Sequence, residues 1–276
     1  MKKILVIAGA GEYPKMLITG ARASGVERID VMAVKGSCPR ATARLGDNAY
    51  WFAAGESDKA IAWTAAQGYD GAVLAGQVSP MSLFRGRFDD VVRGWLKGLA
   101  VKNAHTIFGK LVSEFEAAGI RMIPASSYMD AALPGAGAMT ERTLTAGEED
   151  DVRRGMQVAS DVGRHDVGQT VLVKSGMVLA VEAFEGTNAA IKRAGRLSKG
   201  AVLCKAAREG HDWRFDIPVV GLKTLKTMKK SGVTALAFQA GRLILLDRED
   251  VIRFANRHSI AIVGIESGLP PAPTRP

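Results

Sequence analysis

Short apolar runs that stop at a glycine or proline alternate with amphipathic stretches through the first half of the chain. Residues 4–8 (ILVIA) end in Gly9-Ala10-Gly11-Glu12-Tyr13-Pro14, and an amphipathic stretch follows from Pro14 to Ser24. Proline in the first helical turn costs little, because its missing N–H has no partner there in any case. Further strands are predicted at 29–34 (IDVMAV), 71–75 (GAVLA) and 120–123 (IRMI), with helices over 57–67 and 89–118. Parallel strands need long crossovers, so this alternation predicts an α/β fold with an open, mostly parallel sheet. Ligands of such sheets sit beyond the carboxyl ends of the strands.

Two loops belong to that rim. The first reads GxGxxP rather than a full GxGxxG, so it is either an ordinary tight turn or a place where free N–H groups take a phosphate or a uracil edge. Gly11, Glu12 and Tyr13 are its candidate ligand contacts. Gln77 and Ser79, in Gly76-Gln77-Val78-Ser79-Pro80, follow a buried strand onto the same rim. Leu133-Pro134-Gly135-Ala136-Gly137 is the best linker. It sets domains at 1–132 and 138–268, with a flexible tail over 269–276.

Composition narrows the class. The 276 residues are 47% hydrophobic and 24% charged, enough for a core and against global disorder. Cys38 and Cys204 stand alone, without zinc spacing, as is usual in a reducing cytoplasm. The opening MKKILVIAGAGEYPKM has the charge and apolar run of a signal peptide but no small-residue cleavage site, so it reads as a first strand and turn. No run of 18 apolar residues exists to span a membrane. A net charge of +9 favours phosphates, nucleic acid or an acidic membrane surface. With 6% aromatic residues and no nucleic-acid motif, nucleic acid is the least favoured of these.

In the second half, the acids Glu148 to Asp151 open a helix over 147–163, where they suit its macrodipole. Thr170–Lys174 and Met177–Glu182 read as strands joined at Ser175-Gly176. The second, continuously apolar from Met177 to Val181, is predicted to be buried on both faces. A helix over 188–195 then follows the N-cap chemistry of Gly186-Thr187-Asn188. Its start favours anions, yet Glu182 and Glu185 lie beside it. A divalent cation such as Mg²⁺ between carboxylates and phosphate resolves that conflict, whereas Glu185 paired with Lys192 or Arg193 is the plain structural alternative. Asp216, between Phe215 and Ile217 in DWRFDIPVVG, reads as an acid inside a short apolar strand. It is either functional or paired with Arg214 or Lys205. Lys223 is the lysine of GLKTLKTMKKSG best placed to reach a phosphate. His105, His165, His211 and His258 show no ligand spacing.

The stretches IAGAGEYP, AGQVSP, DVGQTVLVKSGMVLAVEAFEGTNAAIKRAG, RFDIPVVG and AGRLILLDREDVI run through nearly the whole chain. Together they resemble the UDP-2,3-diacylglucosamine pyrophosphatases of lipid A biosynthesis, the type unrelated to calcineurin-like metallophosphatases. The resemblance implies a Rossmann-like N-terminal domain, a distinct α/β C-terminal domain, and a cytoplasmic enzyme peripheral to the inner membrane. It also implies hydrolysis to UMP and 2,3-diacylglucosamine 1-phosphate with Mg²⁺, for which Mn²⁺ can stand in. The family's catalytic aspartate falls on Asp216, and Glu182 and Glu185 join it as catalytic and metal-ligating candidates. Substrate contacts fall on Gln169, Thr187, Asn188, Lys205, Arg214 and Lys223, beside the rim residues above. Implied partners are a lipid-linked UDP-sugar and an anionic membrane surface, and a homodimer stays open. The chain departs from the pattern at Asn188 (for Asp), at Asn103-Ala104-His105 (for Gly-Asp-Asp) and at Ser79-Pro80-Met81 (for Ser-Arg-Pro). The changes at Asn188 and at the acidic pair leave a non-hydrolysing lipid- or nucleotide-binding homologue as the alternative, and the first βα turn, with its incomplete glycine pattern, leaves a nicotinamide-dependent oxidoreductase behind it.

Overall fold

Strand Lys3–Ala8 (β1) lies at the middle of a sheet because it can be buried on both faces, and Ile4, Leu5 and Val6 are wholly inaccessible. It pairs in parallel with Arg28–Val34 (β2) on one side and Gly71–Ala75 (β4) on the other. Asn48–Phe52 (β3) extends the sheet beyond β2, giving the order β3-β2-β1-β4 with every pairing parallel. The computed structural model describes residues 1–78, 90–101, 103–208 and 210–276. They fold as two units. The first comprises Met1–Asp130, Asp212–Asp216 and Pro273–Pro276, and the second Ala131–His211 with Ile217–Ala272. Residues 212–216, which the sequence boundary assigns to the second domain, therefore group with the first.

The helices of the first unit are Tyr13–Ala23 (α1), Arg40–Ala43 (α2), Ser57–Ala65 (α3), Asp90–Gly98 (α4) and Ala104–Ala117 (α5) among the described residues. The single helix expected over 89–118 is thus two. Asn103 starts the second by a capping box: its side chain accepts from the Thr106 N–H at 2.8 Å while its own N–H reaches Thr106 Oγ1. The strand expected at 120–123 shrinks to one parallel bridge between Met122 and Ala72. Phe115, Val112, Ile120 and Met122 pack beneath the sheet with Leu5 and Ile7, and Phe215 joins that cluster from the 212–216 segment.

The second unit is a mixed six-stranded sheet. Its strands are Gly137–Ala138 (β5), Thr170–Lys174 (β6), Met177–Val181 (β7), Ala201–Lys205 (β8), Val233–Gln239 (β10) and Ala261–Ile265 (β12), in the order β5-β12-β10-β8-β6-β7. A two-stranded piece, Val219–Val220 (β9) with Ile244–Leu245 (β11), lies apart from it. Strand alternation sorts the core into two layers. Leu203, Leu236 and Phe238 face one cluster, while Val202, Cys204, Ala235 and Ala237 face another containing Val152. Val152 belongs to Ala146–Arg164 (α6). Ile191, Leu225, Met228 and Val251, from Thr187–Leu197 (α7), Leu222–Ser231 (α8) and Arg248–Arg257 (α9), fill the opposite layer.

Ser175 and Gly176 both have positive φ, as a two-residue hairpin turn requires, and the Asp151 carboxylate accepts both their N–H groups at 2.9 and 2.7 Å. β7 is not buried on both faces. It is the sheet's last strand, and Met177 remains 65% exposed. The proposed linker is engaged as well: Gly137 pairs with Gly264, and Gly241 donates to the Pro134 carbonyl. The closing residues are tied rather than free, with Ala272 donating to Gly241 and the Thr274 carbonyl accepting from Tyr128.

Candidate active site

The second unit concentrates its buried polar chemistry where β6, β7, β8 and the start of α7 meet. Lys205, at the end of β8, is 4% exposed. Its Nζ donates to Thr170 Oγ1 at 3.0 Å and Thr187 Oγ1 at 3.1 Å, and lies 3.5 Å from Glu182 Oε2. Thr187 donates in turn to Glu182 Oε1 at 2.8 Å. Burial drives the Glu182 carboxyl toward its neutral form, but the Lys205 ammonium and the hydroxyls outweigh it and hold the group below the usual carboxylate range. The backbone is equally tight: Glu182 N–H reaches the Thr170 carbonyl, and a Cβ on Gly168 would lie 2.1 Å from the Glu182 carbonyl oxygen. Only glycine fits there.

This arrangement corrects two expectations. Lys205 is not a free phosphate ligand, because its protons are committed to two threonines and a glutamate. The Thr187 hydroxyl proton is likewise spent on Glu182, which leaves only the backbone N–H groups of the helix start to meet an anion. Glu185 departs further from its expected role. It pairs with Arg193 at 2.5 Å, and Arg193 also donates to the Val181 carbonyl. The alternative named for Glu185, a surface pair, is what the structure holds.

No group of three or more His, Cys, Asp or Glu side chains converges as a metal site among the described residues. The buried oxygens without a hydrogen-bond partner include Glu182 Oε2, which lies 3.5 Å from Lys205 Nζ, and Asn188 Oδ1 in the first turn of α7. Both are hard oxygen donors. Mg²⁺ characteristically uses one or two protein ligands of this kind, retains waters and takes phosphate oxygens from its substrate. The chemistry of Glu182 and Asn188 would suit such an ion.

In the first unit, the rim loops meet as expected. Ala10 and Gln77 form a two-way backbone bridge, Ala10 N–H to the Gln77 carbonyl at 2.8 Å and the reverse at 2.9 Å. A Cβ on Gly9 would come within 2.5 Å of the Gln77 oxygen. Gly11, Glu12 and Gln77 are exposed on this rim, with Glu12 paired to Lys15. Tyr13 is not available to a ligand: it is buried, and its hydroxyl donates to the Ala125 carbonyl. Ser79 lies outside the described residues.

Asp216 is not inside a strand. Trp213, Arg214 and Phe215 form a turn, and the N–H of Asp216 closes onto the Asp212 carbonyl at 3.0 Å, leaving the residue half-buried. Arg214 engages two other carboxylates. The guanidinium forks onto Asp212, with Nε to Oδ1 at 2.9 Å and Nη2 to Oδ2 at 2.7 Å. Its Nη1 spans both oxygens of Glu116 at 2.7 and 2.6 Å. Burial alone would raise the Asp212 carboxyl, and Arg214 reverses that shift. Glu116 and Asp212 went unmarked in the sequence. An Asp-x-Arg spacing hints at the second, but nothing local points to a partner 98 residues away. The backbone of Gln169 joins the second unit's sheet, its carbonyl accepting from Ala206, and Lys223 is exposed in the first turn of α8.

These features define a two-unit α/β protein that carries a buried lysine–threonine–glutamate network at a helix start and an aspartate-bearing turn. Residues 3–132 match the LpxI N-terminal domain and residues 135–263 the LpxI C-terminal domain. The chain belongs to the LpxI family. It is 29% identical over 281 aligned positions to the UDP-2,3-diacylglucosamine pyrophosphatase LpxI of Caulobacter vibrioides, covering 96% of this chain and 98% of that protein. Among solved structures, the biotin carboxylase domain of a thermophilic 2-oxoglutarate carboxylase overlaps at 13% identity and a TM-score of 0.25. That overlap covers 62% of this chain and 34% of the other. The corresponding domain dimer from Hydrogenobacter thermophilus gives the same identity and score over 71% and 41%. The chain thus spans well under half of either structure, at a score that establishes no common fold.

Proposed function

We propose that this protein hydrolyses the pyrophosphate of UDP-2,3-diacylglucosamine, giving UMP and 2,3-diacylglucosamine 1-phosphate in lipid A biosynthesis. The observation that carries the reading is the match to both LpxI domains along one chain, together with a relative of that named activity aligned over nearly its full length. The site chemistry agrees with it. Phosphoryl transfer depends mainly on positioning and on neutralising developing charge. Asp216 is the residue assigned to activate water. Glu182 and Asn188 would hold Mg²⁺, which supplies positive charge to the pyrophosphate when bound. Lys205 keeps Glu182 ionised and fixed, while the start of α7 offers N–H groups to phosphate oxygens. Gly11, Glu12 and Gln77 on the first unit's rim would take the uridine or sugar.

The lipid-linked substrate implies work at a membrane surface, and the net charge of +9 favours an anionic one. No helix among the described residues is long and apolar enough to cross a membrane. The reading is tested by incubating the purified protein with UDP-2,3-diacylglucosamine and Mg²⁺ and measuring UMP. Mg²⁺-dependent UMP release with matching sugar 1-phosphate supports it. Binding without UMP would favour the non-hydrolysing alternative.

A further inference from the structure

The turn bearing Asp216 is tied to the first unit by three independent contacts. Ala125 links two of its neighbours: its N–H donates to the Trp213 carbonyl at 2.6 Å, and its own carbonyl accepts from the Tyr13 hydroxyl. Phe215 lies against α5, with its ring centroid 5.1 Å from that of His105 and 6.3 Å from that of Phe108, and closes over Gly109. Arg214 is clamped between Asp212 within the turn and Glu116 on the last turn of α5. All three nitrogens of its guanidinium have carboxylate partners. A planar fork held on both sides fixes direction as well as distance, which an ammonium does not.

We infer that Arg214 is a positioning residue for Asp216, anchored through Glu116, rather than a ligand for the substrate's phosphates. The inference rests on the proposed hydrolysis. A small displacement of a reacting group lowers turnover without weakening substrate binding, and about 1 Å can cost up to ~100-fold. Losing a phosphate ligand would instead raise KM.

Glu116 is the place to test this, since its side chain is 41% exposed and its replacement leaves the core untouched. Glu116→Gln, Arg214→Gln and the double variant would be compared for kcat and KM on UDP-2,3-diacylglucosamine, with hydrogen exchange over residues 212–216 followed in parallel. The expected result is a kcat lowered roughly tenfold or more in each single variant with KM within about twofold. The double variant should be no worse than the poorer single one, and exchange over 212–216 should be faster in all three. An unchanged kcat in Glu116→Gln overturns the inference, as does a raised KM confined to Arg214→Gln. If the unaltered protein releases no UMP, the functional reading fails by itself. The exchange arm then decides the tether, and unaltered exchange in both single variants overturns it.

Discussion

Replacing Lys205 by methionine removes an ammonium from the interior and leaves Glu182 behind. The Lys205 side chain is 5% exposed and that of Glu182 14%, so water cannot take over the lost contact. Two threonine hydroxyls lose their donor in the same step. Breaking a buried pair from one side costs about 3–5 kcal/mol, because a carboxylate stays desolvated without a counter-charge. For a unit of this size that lowers the melting temperature by roughly 10–20 °C. The pH dependence identifies the cause. In the unaltered protein the depressed Glu182 carboxyl contributes stability that is full above its ordinary value of 4.5 and lost as pH falls through the depressed value. Without Lys205, burial raises the same carboxyl. Its penalty then grows as pH rises through the ordinary carboxylate range and shrinks in acid. Urea denaturation should therefore show a wide gap between the two proteins at about pH 8 that narrows toward pH 4. Adding Glu182→Gln to Lys205→Met should recover much of the loss, since no unpaired charge remains. A loss under ~1 kcal/mol at pH 8, or a gap independent of pH, would refute a buried ion pair as the source.

Three further outcomes follow from the same geometry. Glu185→Gln should leave Mg²⁺-dependent turnover within about threefold and cost at most ~1 kcal/mol, since it breaks only a surface pair with Arg193; loss of metal response would restore Glu185 as a ligand. Acid should destabilise the protein, because Asp30, Glu148, Glu182 and Asp212 are all held below the ordinary carboxylate range. Their contributions are complete above that range and vanish as pH falls through the depressed values, so a melting temperature unchanged between about pH 7 and pH 3 contradicts the assignment. Association with anionic vesicles should fall as salt rises, while equal binding to neutral vesicles at low salt would remove the electrostatic contribution.

The sequence disclosed three strands of the first sheet, because β1 and β4 carry unbroken apolar runs that end at glycine and β2 carries one broken only by Asp30. β3 escaped notice, since Asn48–Phe52 is only partly covered and its aromatic residues pack on Trp63 rather than in a continuous apolar run. β8, β10 and β12 carry comparable short, mostly apolar runs, in AVLCK, VTALAF and AIVGI, and are legible in the same way. The apolar stretch 177–181 misled for a physical reason. Composition alone does not separate a strand covered on both faces from an edge strand whose outer residues meet solvent. Asp216 was singled out by its apolar neighbours, but those neighbours belong to a turn. Phe215 is apolar because it packs on α5, a contact that residue spacing cannot reveal. Glu182 stands out in the sequence beside the helix start, but nothing in the spacing points to its partner Lys205, in another strand. Charges that meet across strands or helices remain invisible until the fold brings them together.

The most direct measurement is single-turnover hydrolysis of UDP-2,3-diacylglucosamine by the unaltered protein and by Asp216→Asn, with melting temperature and substrate affinity taken on the same preparations. Asparagine matches aspartate in size, so the fold should persist and affinity should hold or improve as one negative charge near the pyrophosphate disappears. UMP release should fall by at least ~100-fold, the lower end of what general acid–base groups contribute. A variant that melts earlier yet releases UMP at the unaltered rate would contradict the account, and would make Asp216 a structural residue of the turn.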